Sequence, residues 1–130
     1  MTTVTLSTEA IQAVVQDYFA ATRSMDGEAW VATFAPDGVC YDPASPPLHG
    51  HTALRGFFQQ ITGLFDRVGL QEEFMSIQGN EVAVKWIGRG VSKNGREVTF
   101  AGIDIFEIND QGKIQVVKGY WDPVAMMAAL

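Results

Sequence analysis

The chain has 130 residues, 47% of them hydrophobic and 18% charged, with a net charge of −6. That length suits one domain, residues 1–130, and the aromatic share of 11% with so few charges excludes a disordered chain. The nine basic residues are scattered along an acidic chain, which argues against a nucleic-acid partner, because a phosphate-binding surface needs clustered Lys and Arg. A single cysteine, Cys40, cannot form an internal disulfide and fits a reducing compartment. The start MTTVTLSTEAI has neither the basic residues nor the apolar core of a signal peptide, and no apolar run approaches the roughly 20 residues of a membrane span. A cytoplasmic protein with no membrane partner is the expectation.

In chain order, Ser7 or Thr8 can cap a first helix with Glu9 in its first turn. Ile11, Val14, Val15, Tyr18, Phe19 and Thr22 then recur at helical spacing. Asp26 can cap a second, short helix carrying Trp30, Val31 and Phe34, which Pro36-Asp37-Gly38 would stop. A strand from Val39 to Asp42 ends at Pro43, and Ala44 to His49 reads as loop. Thr52 would cap a third helix with Leu54, Phe57, Phe58, Ile61, Leu64 and Phe65 on its apolar side.

From there the period changes to two. Strands are expected over 71–78, 81–92, 98–109 and 114–121, with turns at Gly79-Asn80, Asn94-Gly95 and Asp110-Gln111-Gly112. Pro123 permits at most a short terminal helix through Met126 and Met127. Helices first and antiparallel strands after make an α+β fold. Gly88, Gly90 and Gly102 inside long strands imply strong bends, so the sheet is expected to curve around the helices and leave a blind apolar pocket.

Asp104 is the residue that stands out. It shares a strand face with Val98, Phe100, Gly102, Phe106 and Ile108, an apolar row with no Lys or Arg in it. Burying its charge unpaired costs several kcal/mol, roughly, so retaining the proton is the cheaper solution. An Asp that satisfies backbone amides or a bulge is the alternative. Tyr18 lies on the apolar stripe of the first helix, where its hydroxyl needs a partner, as that of any core tyrosine does. Asp42 closes a strand before a proline, either as a turn former or as a carboxylate over a pocket mouth. His49 and His51 flank Gly50 without a carboxylate or Cys at a metal-binding spacing, so no metal is expected, and no phosphate loop or serine elbow occurs. Trp86, Trp121 and the phenylalanines read as core or pocket wall.

These pieces, in this order, resemble the nuclear transport factor 2-like (NTF2-like) superfamily, and within it the bacterial Δ5-3-ketosteroid isomerases. The resemblance runs from about Val14 to Trp121. It rests on Tyr18 in helix one, on Val39-Cys40-Tyr41-Asp42-Pro43, and on Pro47-Leu48-His49-Gly50 before helix three. Ile103-Asp104-Ile105 and the run from Asp110-Gln111-Gly112-Lys113-Ile114 to Tyr120-Trp121 extend it. It implies a cystatin-like or NTF2-like cone, with N-terminal helices packed on a strongly curved, mostly antiparallel sheet around an apolar pocket.

The resemblance also implies roles. Asp42 matches the general base that carries a proton between two carbons. Tyr18 and a protonated Asp104 match the donors to the dienolate oxygen. Trp121 matches an apolar wall residue, and Phe34 and Phe58 stand where such isomerases often carry supporting tyrosines. Phe34, Phe58, Trp86, Phe100, Phe106 and Trp121 are the expected substrate pocket. No cofactor is expected, since only protons move.

The expected function is therefore allylic proton transfer on a small hydrophobic ketone, steroid- or polyketide-like. Two rivals share the scaffold. One is a SnoaL-like polyketide cyclase, dehydratase or epoxide hydrolase, which His49 or His51 beside Asp42 would favour. The other is a non-catalytic binding or dimerisation module. The resemblance also implies a homodimer packed through the outer sheet face, to which Ile103 and Ile105 contribute an apolar surface.

Overall fold

A computed structural model describes residues 6–130 of the chain, so the leader reading of the first residues falls partly outside the described segment. Helix α1 spans Thr8–Arg23, and the Ser7 side chain accepts from the Ala10 amide as its cap. Helix α2, Gly27–Ala32, is capped in the same way by Asp26 on the Ala29 amide. Strand β1 is Phe34–Tyr41, β2 is Leu48–His49 and helix α3 is Gly50–Thr62. Strands β3 (Phe65–Gln78), β4 (Glu81–Ser92), β5 (Glu97–Ile108) and β6 (Ile114–Trp121) follow, then α4 (Pro123–Ala128), capped by Asp122.

Among the described residues six strands form one open, curled sheet in the order β2-β1-β6-β5-β4-β3, in which β1 and β6 are parallel neighbours and the other pairs antiparallel. The fold is α+β, with helices against the inner face. The alternation expected for β5 holds: Val98, Asp104, Phe106 and Ile108 are buried, whereas Thr99, Ala101, Ile103 and Glu107 are exposed.

Two glycines make room for large rings on that inner face. Trp86 pairs with Gly102 and Gly88 pairs with Phe100 across the β4–β5 ladder. A Cβ on Gly102 would lie 2.6 Å from the Trp86 ring, and one on Gly88 would lie 2.6 Å from Phe100. The aromatic side chains thus cover the opposite backbone, and the strands stay close.

Several expected boundaries move. Phe34 belongs to β1 and not to α2: the helix closes at Thr33, whose hydroxyl donates to Trp30 O at 2.7 Å and whose carbonyl accepts from Ile114 N at 2.9 Å. Pro36-Asp37-Gly38 is then a bulge within β1, where the pairing with β6 jumps from Phe34↔Ile114 to Val39↔Val116. Helix α3 starts at Gly50 with His49 in the cap position, not Thr52, because Leu48 and His49 pair with β1 and deliver the chain directly into the helix. Gly63 closes α3, so Phe65 opens β3 and packs with Val68, Val98 and Met126 in a second small core. Strand β3 begins six residues earlier than its alternation indicates, because 65–70 pairs along 88–92 of β4.

Candidate active site

Between the helices and the sheet lies a cavity of about 90 Å³ whose wall includes Tyr18, Asp42 and Asp104. Three distant segments place them. Thr22 and Arg23, one turn beyond Tyr18, tie α1 to β3: the Leu70 amide donates to Thr22 Oγ1 at 2.9 Å, and Arg23 Nη1 donates to Leu70 O at 2.9 Å. Tyr18 is thereby held against the inner face, 6% exposed. Asp104 occupies the middle of β5, between Val84 and Gly119 on the neighbouring strands. Asp42 follows the last residue of β1.

Gly119 lies under both acids. A Cβ there would sit 3.2 Å from Asp104 Oδ1 and 3.3 Å from Asp42 Oδ2, so the two carboxyl groups converge over one glycine. Any side chain at this position would press on both.

Burial raises all three groups. Burial pushes the Asp104 carboxyl up to about 7. The nearby Trp86 indole opposes the rise, the Asp42 charge adds to it, and Tyr18 opposes it again. Trp86 Nε1 itself is buried without a hydrogen bond of ordinary geometry, so its effect on Asp104 is one of proximity. Tyr18 is held well above the usual phenol value, first by burial and then by the charges of Asp104, Cys40 and Asp42, so it remains a donor.

Asp42 is also raised by burial, but less freely, because hydrogen bonds to its anion resist. The Ala44 amide donates to Oδ1 at 2.8 Å, the turn role expected of an Asp before proline. Trp121 Nε1 donates to Oδ1 at 3.2 Å and to Oδ2 at 3.1 Å. The tertiary structure thus gives Trp121 a second role beyond that of an apolar wall: its indole N–H donates to both oxygens of the Asp42 carboxyl at the cavity. Nothing in the local sequence around residue 121 signals this, since the partners lie 79 positions apart.

Of the six expected pocket residues, Phe58, Trp86, Phe100 and Trp121 line the cavity. Phe34 and Phe106 do not. They are fully buried behind Tyr18, with ring centroids 6.0 and 5.0 Å from its own, and they brace the phenol ring instead of meeting a ligand. Trp30, Phe57, Ile61 and Leu70 join the wall. Phe57 and Ile61 share the α3 stripe with Phe58, a signal available in the sequence; Leu70 lies where β3 was not expected.

The remaining candidates stand apart. His51 Nε2 bonds Phe34 O at 3.0 Å, His49 is exposed in β2, and neither lines the cavity. Among the described residues no three His, Cys, Asp or Glu side chains are grouped to hold a metal ion. Burial pushes the Cys40 thiol up, with Asp42 and Asp104 adding to the effect, which leaves it unreactive at neutral pH.

Known structures share this architecture. A crystal structure of TerC with polyporic acid is 19% identical, superposes with a TM-score of 0.82 and covers 92% of this chain and 97% of the other. A putative polyketide cyclase from Xanthomonas campestris pv. campestris is 23% identical, with a TM-score of 0.82 over 93% and 96% of the two chains. An NTF2-like protein of unknown function from Burkholderia pseudomallei is 18% identical, with a TM-score of 0.83 over 95% and 98%. At these identities the likeness is one of fold. The model of the SnoaL-like domain family matches residues 15–117, most of the chain, with Tyr18, Asp42 and Asp104 inside the match, and the protein therefore belongs to the SnoaL-like domain family.

Proposed function

We propose that this protein is an acid–base enzyme that moves a proton on a small apolar ketone through an enolate, as ketosteroid isomerases do. One observation carries the reading: a phenol and two carboxyls line one apolar cavity, with Asp104 near 7 and Asp42 anchored as an acceptor by Trp121.

Asp42, as the carboxylate, takes the proton from the carbon beside the carbonyl and returns it to another carbon. The Tyr18 hydroxyl and the protonated Asp104 donate to the oxygen on which negative charge develops. Each such preorganised donor contributes about 3 kcal/mol, and a positioned base roughly 10²–10⁴-fold. Proton shuttling by Asp42 balances without a redox partner. The cavity is small against the roughly 300–1,000 Å³ of ordinary ligand sites, so a single reacting ring fits as the side chains stand, and a fused polycycle requires wall side chains to move.

Asp42→Asn is the direct test. It should abolish isomerisation of a β,γ-unsaturated cyclic ketone while leaving ligand binding intact; full turnover in the variant refutes the assignment. A cyclase that builds carbon–carbon bonds from the same enolate is the second reading, favoured by the polyketide chemistry named for one structural relative. Cyclisation of a linear polyketone, without isomerisation of the ring ketone, would select it.

We also propose a cytoplasmic homodimer joined through the outer sheet face, where Ile103, Tyr120 and Phe74 are 47%, 59% and 65% exposed. The buried free Cys40 fits that compartment.

A further inference from the structure

The cavity combines features that a neutral ketone does not exhaust. Six aromatic side chains, Trp30, Phe57, Phe58, Trp86, Phe100 and Trp121, share its wall with Tyr18 and two carboxyls. No Lys, Arg or His lines it, and neither Asp42 nor Asp104 takes part in an ion pair among the described residues. Two acids facing one apolar space with no cation between them leave a deficit of positive charge that a ligand can fill.

Three of the rings form a corner. Trp86 stands at 83° to Phe100 with centroids 5.8 Å apart, and at 63° to Trp121 with centroids 6.4 Å apart. Phe100 and Trp121 close the set at 5.6 Å. Trp121 donates to Asp42, and Trp86 lies on the same face of β4 as Val84, the cross-strand partner of Asp104, so the corner adjoins both acids. Faces of indole and phenyl rings attract cations, and they do so most strongly when desolvated. The volume of about 90 Å³ suits a compact head group and not a long chain.

We propose that the cavity binds a small alkylammonium ion, a tertiary or quaternary ammonium head whose methyl groups rest on the Trp86, Phe100 and Trp121 rings and whose charge lies between Asp42 and Asp104. The ligand class goes beyond the ketone reading, although the cavity is the same. Binding ionises Asp104 beside the Asp42 carboxylate. Trp86 Nε1, buried without a partner, then gains an anionic acceptor in Asp104. The groups facing Asp104 are Tyr18 from α1, Cys40 and Asp42 from β1 and its end, and Trp86 from β4, with no cation among them. Cation binding therefore releases the Asp104 proton, and affinity rises with pH through about 7.

The test titrates the full chain with tetramethylammonium chloride and, separately, with tert-butanol, a neutral molecule of similar size, following tryptophan fluorescence and calorimetry at pH 6 and pH 8. Tetramethylammonium should bind saturably, about tenfold or more tighter than tert-butanol, and tighter at the higher pH. Asp104→Asn, checked for folding by circular dichroism, should lose the pH dependence and most of the affinity; Trp86→Phe retains the ring face and should lose less. Equal affinity for the two probes, no saturable binding of the cation, or an Asp104→Asn variant that binds it like wild type overturns the proposal. Ketone turnover without cation binding sinks this inference alone, and cation binding without turnover sinks the isomerase reading alone.

Discussion

Replacing Asp104 with Asn removes a buried titrating group and keeps its shape. The carboxyl sits at about 7 in the folded chain against 3.8 for an exposed Asp, chiefly through burial. The folded state holds this proton more tightly than the unfolded state, so ionisation of Asp104 favours unfolding. Its contribution to stability is fully present below about pH 4 and is lost as pH rises through about 7. A shift of roughly three units corresponds to about 4 kcal/mol over the whole range, of which about 3 kcal/mol falls between pH 5 and pH 9. Asn does not titrate. Urea denaturation of wild type and Asp104→Asn at both pH values isolates the difference, since every other titrating group is common to the two proteins. Wild type should lose about 3 kcal/mol relative to the variant on going from pH 5 to pH 9. A difference that stays constant, or wild type gaining on the variant at high pH, would refute the argument, because either result means that Asp104 is ionised and well solvated or paired.

Trp121→Phe removes the indole donor from both Asp42 oxygens, so the Asp42 carboxyl rises further and the acid limb of the pH–rate profile moves to higher pH; an unmoved limb contradicts the positioning role. Gly119→Ala places a methyl 3.2 and 3.3 Å from the two carboxyls, so turnover should fall at least about tenfold while stability changes by less than about 1 kcal/mol, the gain from replacing a strand glycine being offset by the pressure on both acids; full activity would show that the acids do not act together over this residue. Ile103→Lys puts a charge on the exposed apolar sheet face, and light scattering should find wild type dimeric and the variant monomeric; a dimeric variant, or a monomeric wild type, refutes the proposed interface.

The β5 alternation was sufficient to bury Asp104, because side chains in a strand alternate between faces and the row on its side is apolar. The caps at Ser7 and Asp26 and the hairpin at Asn94-Gly95 were likewise local signals, settled by hydrogen bonds that span a few residues. The extent of β3 was not local: residues 65–70 lack clean alternation and become strand only because β4 pairs with them. The same holds for Phe34, whose conformation depends on a bond between Thr33 and Ile114 across the sheet.

Legible in the residues alone are the helices, the five longer strands, the two faces of β5, and the presence of a carboxyl among hydrocarbon side chains. Those properties follow from periodicity and from the cost of desolvating charge, and both are properties of short segments. It takes the folded chain to bring Asp42 and Asp104 together over Gly119, to set the Trp121 indole on Asp42 across 79 residues, and to stand Phe34 and Phe106 behind Tyr18 and outside the cavity wall. Convergence of this kind depends on strand order, register and the curl of the sheet, and long-range packing sets all three.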